Sequence, residues 1–337
     1  MSRIDVAVPC YQYGRYLRDC VTSITSQDVE GLRVLIIDNG STDDSLEVAQ
    51  KLARRDERIT IAHHPHNLGQ KHAYNQAIDW ASAPYFMILD ADDVLAEGAL
   101  SRAVAIMDSD PTVAFCHGIE LRLPFVPGAI PPINASDHPP QWSTETGLAF
   151  IAGICRQPIN PVGTSTVVMR TSAQKLAGHY NPSIKHADDV EMWLRLATFG
   201  KVARTNAVQA VRRLHPHQLS RDFDEGFIRD CEERFAAYAV FFRGPGRALS
   251  GARALHRTAE RSLASKAYWS GLSHLVRGHR KGGIALLRFA FAHCPSMAIL
   301  PPLDWLIRIE APWERFASVL ASALRSPRAE GPRVISQ

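Results

Sequence analysis

The chain has 337 residues, 46% of them hydrophobic, and a formal net charge of +4. This length and apolar content can bury a sizeable core and predict one large domain with an appendage. Its six cysteines, Cys10, Cys20, Cys116, Cys155, Cys231 and Cys294, are scattered without a CxxC pair. With no charged-then-apolar signal at the start, they are read as reduced core or loop thiols of a cytoplasmic chain. In that compartment Asn134-Ala135-Ser136 carries no meaning as a glycosylation acceptor.

Taken in chain order, Ile4-Asp5-Val6-Ala7-Val8-Pro9 is a strand stopped by proline. Leu17, Val21 and Ile24 recur at helical spacing. Val34-Leu35-Ile36-Ile37 is a second strand ending in Asp38-Asn39-Gly40-Ser41-Thr42-Asp43. A helix over 45–55, a strand over 59–62, a helix over 70–80, a strand over 85–89 and a helix from about Ala96 to Met107 follow. Such alternation, with nearly continuous apolar strands, predicts a parallel sheet covered on both faces. His63-His64-Pro65-His66 has neither cysteine nor helical spacing and is read as a strand-to-loop segment.

Leu89-Asp90-Ala91-Asp92-Asp93 closes the apolar run 85–89 with three carboxylates. Like charges this close repel unless a cation sits among them, and strand ends of open α/β sheets are where ligands bind. A divalent cation carrying a diphosphate fits such a place. The competing account is that Asp92-Asp93 cap the next helix.

Farther on, the proline-rich stretch 123–140 breaks the rhythm, and Asn160-Pro161-Val162-Gly163-Thr164-Ser165-Thr166 precedes a strand-like run. Asp188-Asp189 opens a helix over 190–199, where acids also complement the helix dipole. A strand-like segment over 202–211 leads to His215, which is either a ligand or a loop-stabilising side chain.

Val8-Pro9-Cys10-Tyr11, Ile37 to Asp43, Asn67-Leu68-Gly69 with Asn75, Leu89 to Asp93, Asp188 to Leu196 and Arg212 to Ser220 form an ordered set of landmarks. In this order they resemble family 2 glycosyltransferases with the GT-A fold, over about residues 4–220. The chain departs from the family at Asn39, where a second Asp is common, at Cys10 and Gln12 beside Tyr11, at Tyr74 before Asn75, and at Asp188, where Glu is usual. The resemblance implies a Rossmann-like α/β GT-A domain over 1–224, its central sheet mostly parallel, and a helical C-terminal region over 225–337.

It further implies a donor site of Pro9, Tyr11, Asp38, Asn67, Gly69, Asn75, Asp90 and Ala91, with Asp38 and the Pro9–Tyr11 loop at the base and Asp90 near the ribose. Asp92 is the expected metal ligand, because carboxylate oxygens hold the hard cation, Mn²⁺ or Mg²⁺, that stabilises a departing diphosphate. His215 resembles the late imidazole that GT-A enzymes bring to the metal or diphosphate, and imidazole suits Mn²⁺ better than Mg²⁺. The acceptor hydroxyl needs a base; Asp189 aligns with the family's base position, with Asp188 as its alternate.

The expected activity is therefore inverting transfer of a sugar from a nucleotide-sugar donor, a UDP-sugar first, to a glycan or lipid-linked acceptor. A non-catalytic sugar-nucleotide-binding relative is the rival class. A nucleotidyltransferase is weaker, for want of a Gly-rich triphosphate loop near the first strand, and a dehydrogenase is weaker still without G-x-G-x-x-G. No nucleic-acid partner is expected.

Past about Asp224 the sequence turns to helices rich in Ala, Leu and Arg. Residues 241–337 hold 15 Lys and Arg against 5 Asp and Glu, a net +10, whereas residues 1–240 carry a net −6. The apolar run 284–300 is interrupted by Arg288, His293 and Pro295 and is too broken to span a bilayer. Basic groups beside Trp269, Trp305 and Trp313 fit either a helical appendage lying on an anionic membrane, peripheral on its inner face, or a homo-oligomer contact.

Overall fold

The computed structural model describes residues 2–126, 140–215 and 227–308. The first half alternates as the apolar pattern predicts: β1 (Ile4–Cys10), α1 (Gly14–Thr25), β2 (Leu32–Asp38), α2 (Ser45–Ala53), β3 (Ile59–His63), α3 (Gln70–Trp80) and β4 (Tyr85–Ile88). Then come β5 (Val94–Leu95), α4 (Ala99–Ser109), β6 (Val113–Pro124), β7 (Trp142–Glu145), α5 (Gly147–Arg156), β8 (Val168–Arg170), α6 (Thr171–Ala177), α7 (Asp188–Leu196) and β9 (Lys201–Leu214). Four helices end the described chain: α8 (Phe227–Arg243), α9 (Ala252–Val276), α10 (Arg280–His293) and α11 (Leu303–Arg308).

The strands form one sheet in the order β3-β2-β1-β4-β8-β6-β9-β5, with β7 on β9. Its longest pairings, β1 with β2 and β6 with β9, are parallel; β8, β5 and β7 join by short antiparallel contacts. Alternate residues of β1 and β2 feed opposite cores, because a strand turns successive side chains to opposite faces. Val6, Val8, Val34 and Ile36 pack with Leu17, Val21 and Ile24 of α1 and Leu100 and Met107 of α4. Ala7, Leu35 and Ile37 pack with Ala77 of α3, Phe150 of α5 and Trp193 of α7.

Several boundaries move from their predicted places. The helix expected from about Ala96 starts at Ala99, because Val94 and Leu95 pair with Val211 and Ala210 and the Ala96 N–H donates to the Gln209 carbonyl at 3.0 Å. The strand expected over 202–211 runs on to Leu214, carried by its register with Leu121–Pro124 of β6. In the proline-rich stretch, Leu123 and Pro124 belong to β6 and the Phe125 N–H donates to the Leu214 carbonyl. Residues 127–139, Asn134-Ala135-Ser136 among them, lie outside the described residues, as do 216–220 and Trp313.

The second core does not stop near residue 224. Cys231, Tyr238 and Phe241 of α8, Leu263 of α9 and Phe289 of α10 belong to the same buried cluster as Trp193 and Phe115. Trp305 is buried, and the indole N–H of half-buried Trp269 donates to the Pro302 carbonyl at 3.1 Å, which ties both indoles into the packing of the C-terminal helices. Among the described residues no helix is long and apolar enough to cross a membrane.

Candidate functional site

The residues that follow β1, β2 and β4 open into one cleft of about 1190 Å³, whose far wall comes from β6, β9, α7 and the C-terminal helices. Backbone geometry shapes its first end. Pro9 and Tyr11 line it, and Tyr11 is 42% exposed. Gln12 holds a left-handed φ of 60°, uncommon for a residue with a side chain. The following loop fixes it: its N–H donates to Ser41 Oγ at 3.0 Å, and its Oε1 accepts from the Thr42 and Asp43 N–H groups at 3.2 and 3.0 Å. Gly40 has φ 74°, and a Cβ there would come within 2.4 Å of the His66 backbone, so the Asn39-Gly40 turn cannot take a larger residue.

Two residues expected at the donor are not among those lining the cleft. Asp38 is fully buried and does not line the cleft; its Oδ2 lies 2.8 Å from His63 Nδ1. Strand alternation explains this, since it is the next residue, Asn39, that reaches the cleft. The Asn39 Oδ1 accepts from the Leu68 N–H at 3.0 Å and its Nδ2 donates to Asn67 Oδ1 at 2.9 Å and the Gly69 carbonyl at 3.2 Å, which binds the two turns into one wall. Asn67 and Gly69 line the cleft, as expected. Asn75 does not: its Oδ1 accepts from the Tyr180 N–H at 2.8 Å, fixing the segment before α7.

At the centre, Asp90, Ala91, Asp92 and Asp93 line the floor. Asp90 accepts from the Tyr74 hydroxyl at 2.5 Å, and burial together with the Asp92 charge pushes its carboxyl up to about 6. Asp93 accepts from Ser165 Oγ at 2.5 Å and from the Arg213 N–H at 3.2 Å; burial, Asp92 and Asp90 push it up as well. The helix-capping account fails, because α4 begins after Gly98 with no side-chain cap.

Arg213, only 4% exposed, ties this loop down. It donates to the Asp92 backbone carbonyl, to the Tyr16 carbonyl at 3.0 Å and to Asp19 Oδ2 at 3.1 Å. Two residues on, His215 Nε2 lies 3.1 Å from Asp92 Oδ2, and its ring stacks on Tyr16 with Tyr13 at its edge. A carboxylate and an imidazole thus meet beside an acidic cluster whose mutual repulsion a cation would relieve, and this donor set fits Mn²⁺ or Mg²⁺. Among the described residues no three His, Cys, Asp or Glu side chains form a ligating set.

Across the cleft stand the acids of α7. Asp188 Oδ2 lies 3.5 Å from Lys71 Nζ, and Lys71 also donates to the carbonyls of Ile184 and Lys185. Burial pushes the Asp188 carboxyl up to about 7 despite that lysine, with Asp189 adding to the rise. Asp189 accepts from Asn160 Nδ2 and from the Val190 N–H, both at 2.6 Å, and burial raises it too. The Asn160–Thr166 segment thus bears on both acidic groups, through Asn160 at one end and Ser165 at the other.

Sequence reading missed the wall beyond Asp189. Phe227, Asp230 and Arg234 of α8 and Lys266 of α9 line the cleft although they lie past residue 224. The only signal for them was the i,i+4 spacing of Asp230 and Arg234, which is common on solvated helices.

Residues 5–145 match the model of the family described as Glycosyl transferase family 2. An uncharacterized glycosyltransferase of Haemophilus influenzae is 26% identical over 223 residues, 64% of this chain and 67% of that one. The chondroitin synthase of Pasteurella multocida is 29% identical over 217 residues, 64% of this chain but 21% of the synthase. Among solved structures, S. aureus TarS 1–349 in complex with UDP superposes with a TM-score of 0.60 at 17% identity, covering 95% of this chain and 89% of that one. The mannosyltransferase PcManGT of Pyrobaculum calidifontis in complex with GDP-Man and Mn²⁺ gives 0.59 at 19% identity, covering 96% and 86%.

Proposed function

Because the chain belongs, through residues 5–145, to the family 2 glycosyltransferases and has their GT-A fold, we propose that it is an inverting enzyme that transfers a sugar from a nucleotide-sugar donor to a hydroxyl of a glycan or lipid-linked glycan. The observation that carries this is the meeting, in one cleft, of the Asp90–Asp93 floor with His215 and of the Asp188–Asp189 pair opposite it. A diphosphate and a base-activated acceptor need those two kinds of group facing each other.

In this reading the nucleoside end of the donor lies against Pro9, Tyr11, Asn39, Asn67 and Gly69, and Asp90 holds the ribose. Asp92 and His215 would hold a divalent cation, and its positive charge would stabilise the departing diphosphate. Arg213 keeps the Asp92 backbone in place for that task. Asp189, oriented by Asn160 and by the Val190 N–H, takes the proton of the attacking hydroxyl. One base and one displacement invert the anomeric carbon. Asp188, drawn toward Lys71, is left to the donor sugar or to the shape of the wall.

The printed names of the neighbours support a nucleotide-sugar donor, since one was solved with UDP and another with GDP-Man and Mn²⁺. UDP-sugars are the first donors to try. The test is a hydrolysis screen of UDP-, GDP- and dTDP-sugars with and without Mn²⁺. Cation-dependent release of one nucleoside diphosphate supports the proposal. Tight nucleotide binding with no turnover of any donor, in the presence of glycan acceptors, would favour the non-catalytic reading.

A further inference from the structure

One acid of the cleft takes no part in that reaction. Glu120 and Arg122 lie two apart on β6 and both line the cleft, while Leu121 between them does not, in keeping with strand alternation. The Glu120 side chain is only 10% exposed. Among the described residues its one hydrogen-bonding partner is Arg122 Nε, 3.4 Å from Oε2, which is longer than a good N–H···O bond, and that arginine side chain is 65% exposed. A carboxylate so covered, and so weakly bonded by its own chain, is costly unless a ligand brings donors to it. The segment over residues 160–166 touches three acids in turn. Asn160 Nδ2 donates to Asp189 Oδ2 at 2.6 Å, Gly163 packs against Glu120, and Ser165 Oγ donates to Asp93 Oδ2 at 2.5 Å. A Cβ on Gly163 would come within 2.5 Å of Glu120 Oε1 and 2.8 Å of its Cβ and Cδ. The Gly163 backbone, with φ −74° and ψ 124°, suits any residue, so the glutamate side chain and not backbone strain keeps this position to glycine. Along the segment, Glu120 thus stands between the floor that faces the diphosphate and the acid that faces the acceptor. In a sugar transfer, what lies between those two is the sugar that moves.

We propose that Glu120 is a specificity-determining residue, whose carboxylate accepts hydrogen bonds from hydroxyls of the sugar being transferred, with Gly163 leaving it the room to do so. This rests on the reading of the cleft as a nucleotide-sugar site given above, and it names the group that tells one donor sugar from another. Carboxylate oxygens only accept, and a sugar ring offers hydroxyl donors on neighbouring carbons, so the two oxygens fit a pair of them. A donor lacking one of those hydroxyls leaves the carboxylate covered and unpaired, which costs more than the lost bond alone.

The test uses the full chain with the nucleotide sugar it hydrolyses and a series of singly deoxygenated analogues of that sugar. Wild type should lose about tenfold to a hundredfold in kcat/KM when one particular hydroxyl is removed. Glu120→Ala should lose a like factor with the parent donor and no longer distinguish that analogue, while its nucleoside diphosphate affinity stays within about twofold of wild type. Gly163→Ala, which crowds the carboxylate without changing it, should fall between the two, and it serves if Glu120→Ala fails to fold. An unchanged preference among the analogues in both variants, with nucleoside diphosphate still bound, overturns the proposal and leaves Glu120 as the partner of Arg122. If the wild type hydrolyses no donor, the parent reading of catalysis fails and calorimetry decides this one. Glu120→Ala weakening the nucleotide sugar but not the nucleoside diphosphate supports the proposal, and equal loss or no loss of both overturns it. Wild type that binds neither ligand overturns both readings.

Discussion

Tyr16 stacks on His215, ring centroids 4.5 Å apart and planes 22° from parallel, and so turns the imidazole toward Asp92. The partner comes from α1, the first helix of the chain, while His215 sits just past the end of β9, so the geometry around Asp92 is set by side chains from opposite ends of the sheet-forming region. Arg213 strengthens the same contact by lying over the Tyr16 ring at 5.2 Å.

The first prediction concerns Asp92 and His215. Asp92→Ala should abolish Mn²⁺-dependent nucleoside diphosphate binding and lower transfer by about three orders of magnitude or more, the scale of losing charge stabilisation on a leaving diphosphate. Folding should hold, because the change removes one charge from a repulsive cluster. His215→Ala should weaken the cation dependence less. Calorimetric titration of UDP and GDP with and without Mn²⁺ checks both; unchanged binding in Asp92→Ala removes Asp92 from the metal.

Asp189→Asn keeps side-chain shape and leaves no base. Donor affinity should survive while transfer falls by about two to four orders of magnitude. Product from the wild type should show inversion by NMR at the anomeric centre. Undiminished transfer in Asp189→Asn would shift the base to Asp188.

Asp188 ties stability to pH. Its carboxyl stands at about 7 in the fold against an ordinary 3.8, so the folded chain holds this proton more tightly than the unfolded chain does. The resulting contribution is fully present below about pH 4 and is lost as pH rises through about 7. Asp188→Asn should therefore be more stable than wild type at pH 8, by up to about 2 kcal/mol once partial solvation is allowed for, and nearly equal to it at pH 4. Urea unfolding at the two pH values is the measurement. A constant difference between the proteins would mean that burial does not hold the proton there.

The tail gives the fourth prediction. Arg277, Arg280 and Lys281 are exposed at the turn between α9 and α10, and Ile299, Leu300 and Leu303 stand 84%, 72% and 61% exposed beyond it. If this region meets an anionic bilayer, the protein should sediment with acidic vesicles and release steeply as salt rises, since each surface cation contributes about 1 kcal/mol and is screened. Reversing the three charges should free it while donor hydrolysis continues. Self-association at low salt with no vesicle binding would assign the region to a dimer contact instead.

The alternating half of the fold was legible because continuous apolar strand runs and helices of period 3.6 announce themselves locally. The place of Asp90, Asp92, Asn67 and Asp189 on one cleft was legible for a different reason: each sits in a dense motif next to a strand or helix end. That Asn39 and not Asp38 lines the cleft was not legible, since a motif gives the order of residues but not which of two neighbours a pleated strand turns outward. The bond of Asn75 to the Tyr180 backbone was hidden likewise, because the partner lies far along the chain. Tyr16, Ser165, Arg213 and Arg234 were silent, because single aromatic, hydroxyl and basic side chains acquire meaning only from partners far along the chain. The short β5 was hidden by its length, two residues having no period to detect.

The buried cluster that joins Trp193 to Tyr238, Leu263 and Phe289 has a consequence for how this chain can vary. A surface shared between two regions makes them unfold together, so amide exchange in α8 and α9 should be as slow as in β1, with one melting transition. Neither region can then be traded for a relative's without repacking the seam. Changes in the helical wall of the cleft would have to be inherited together with the sheet they lean on.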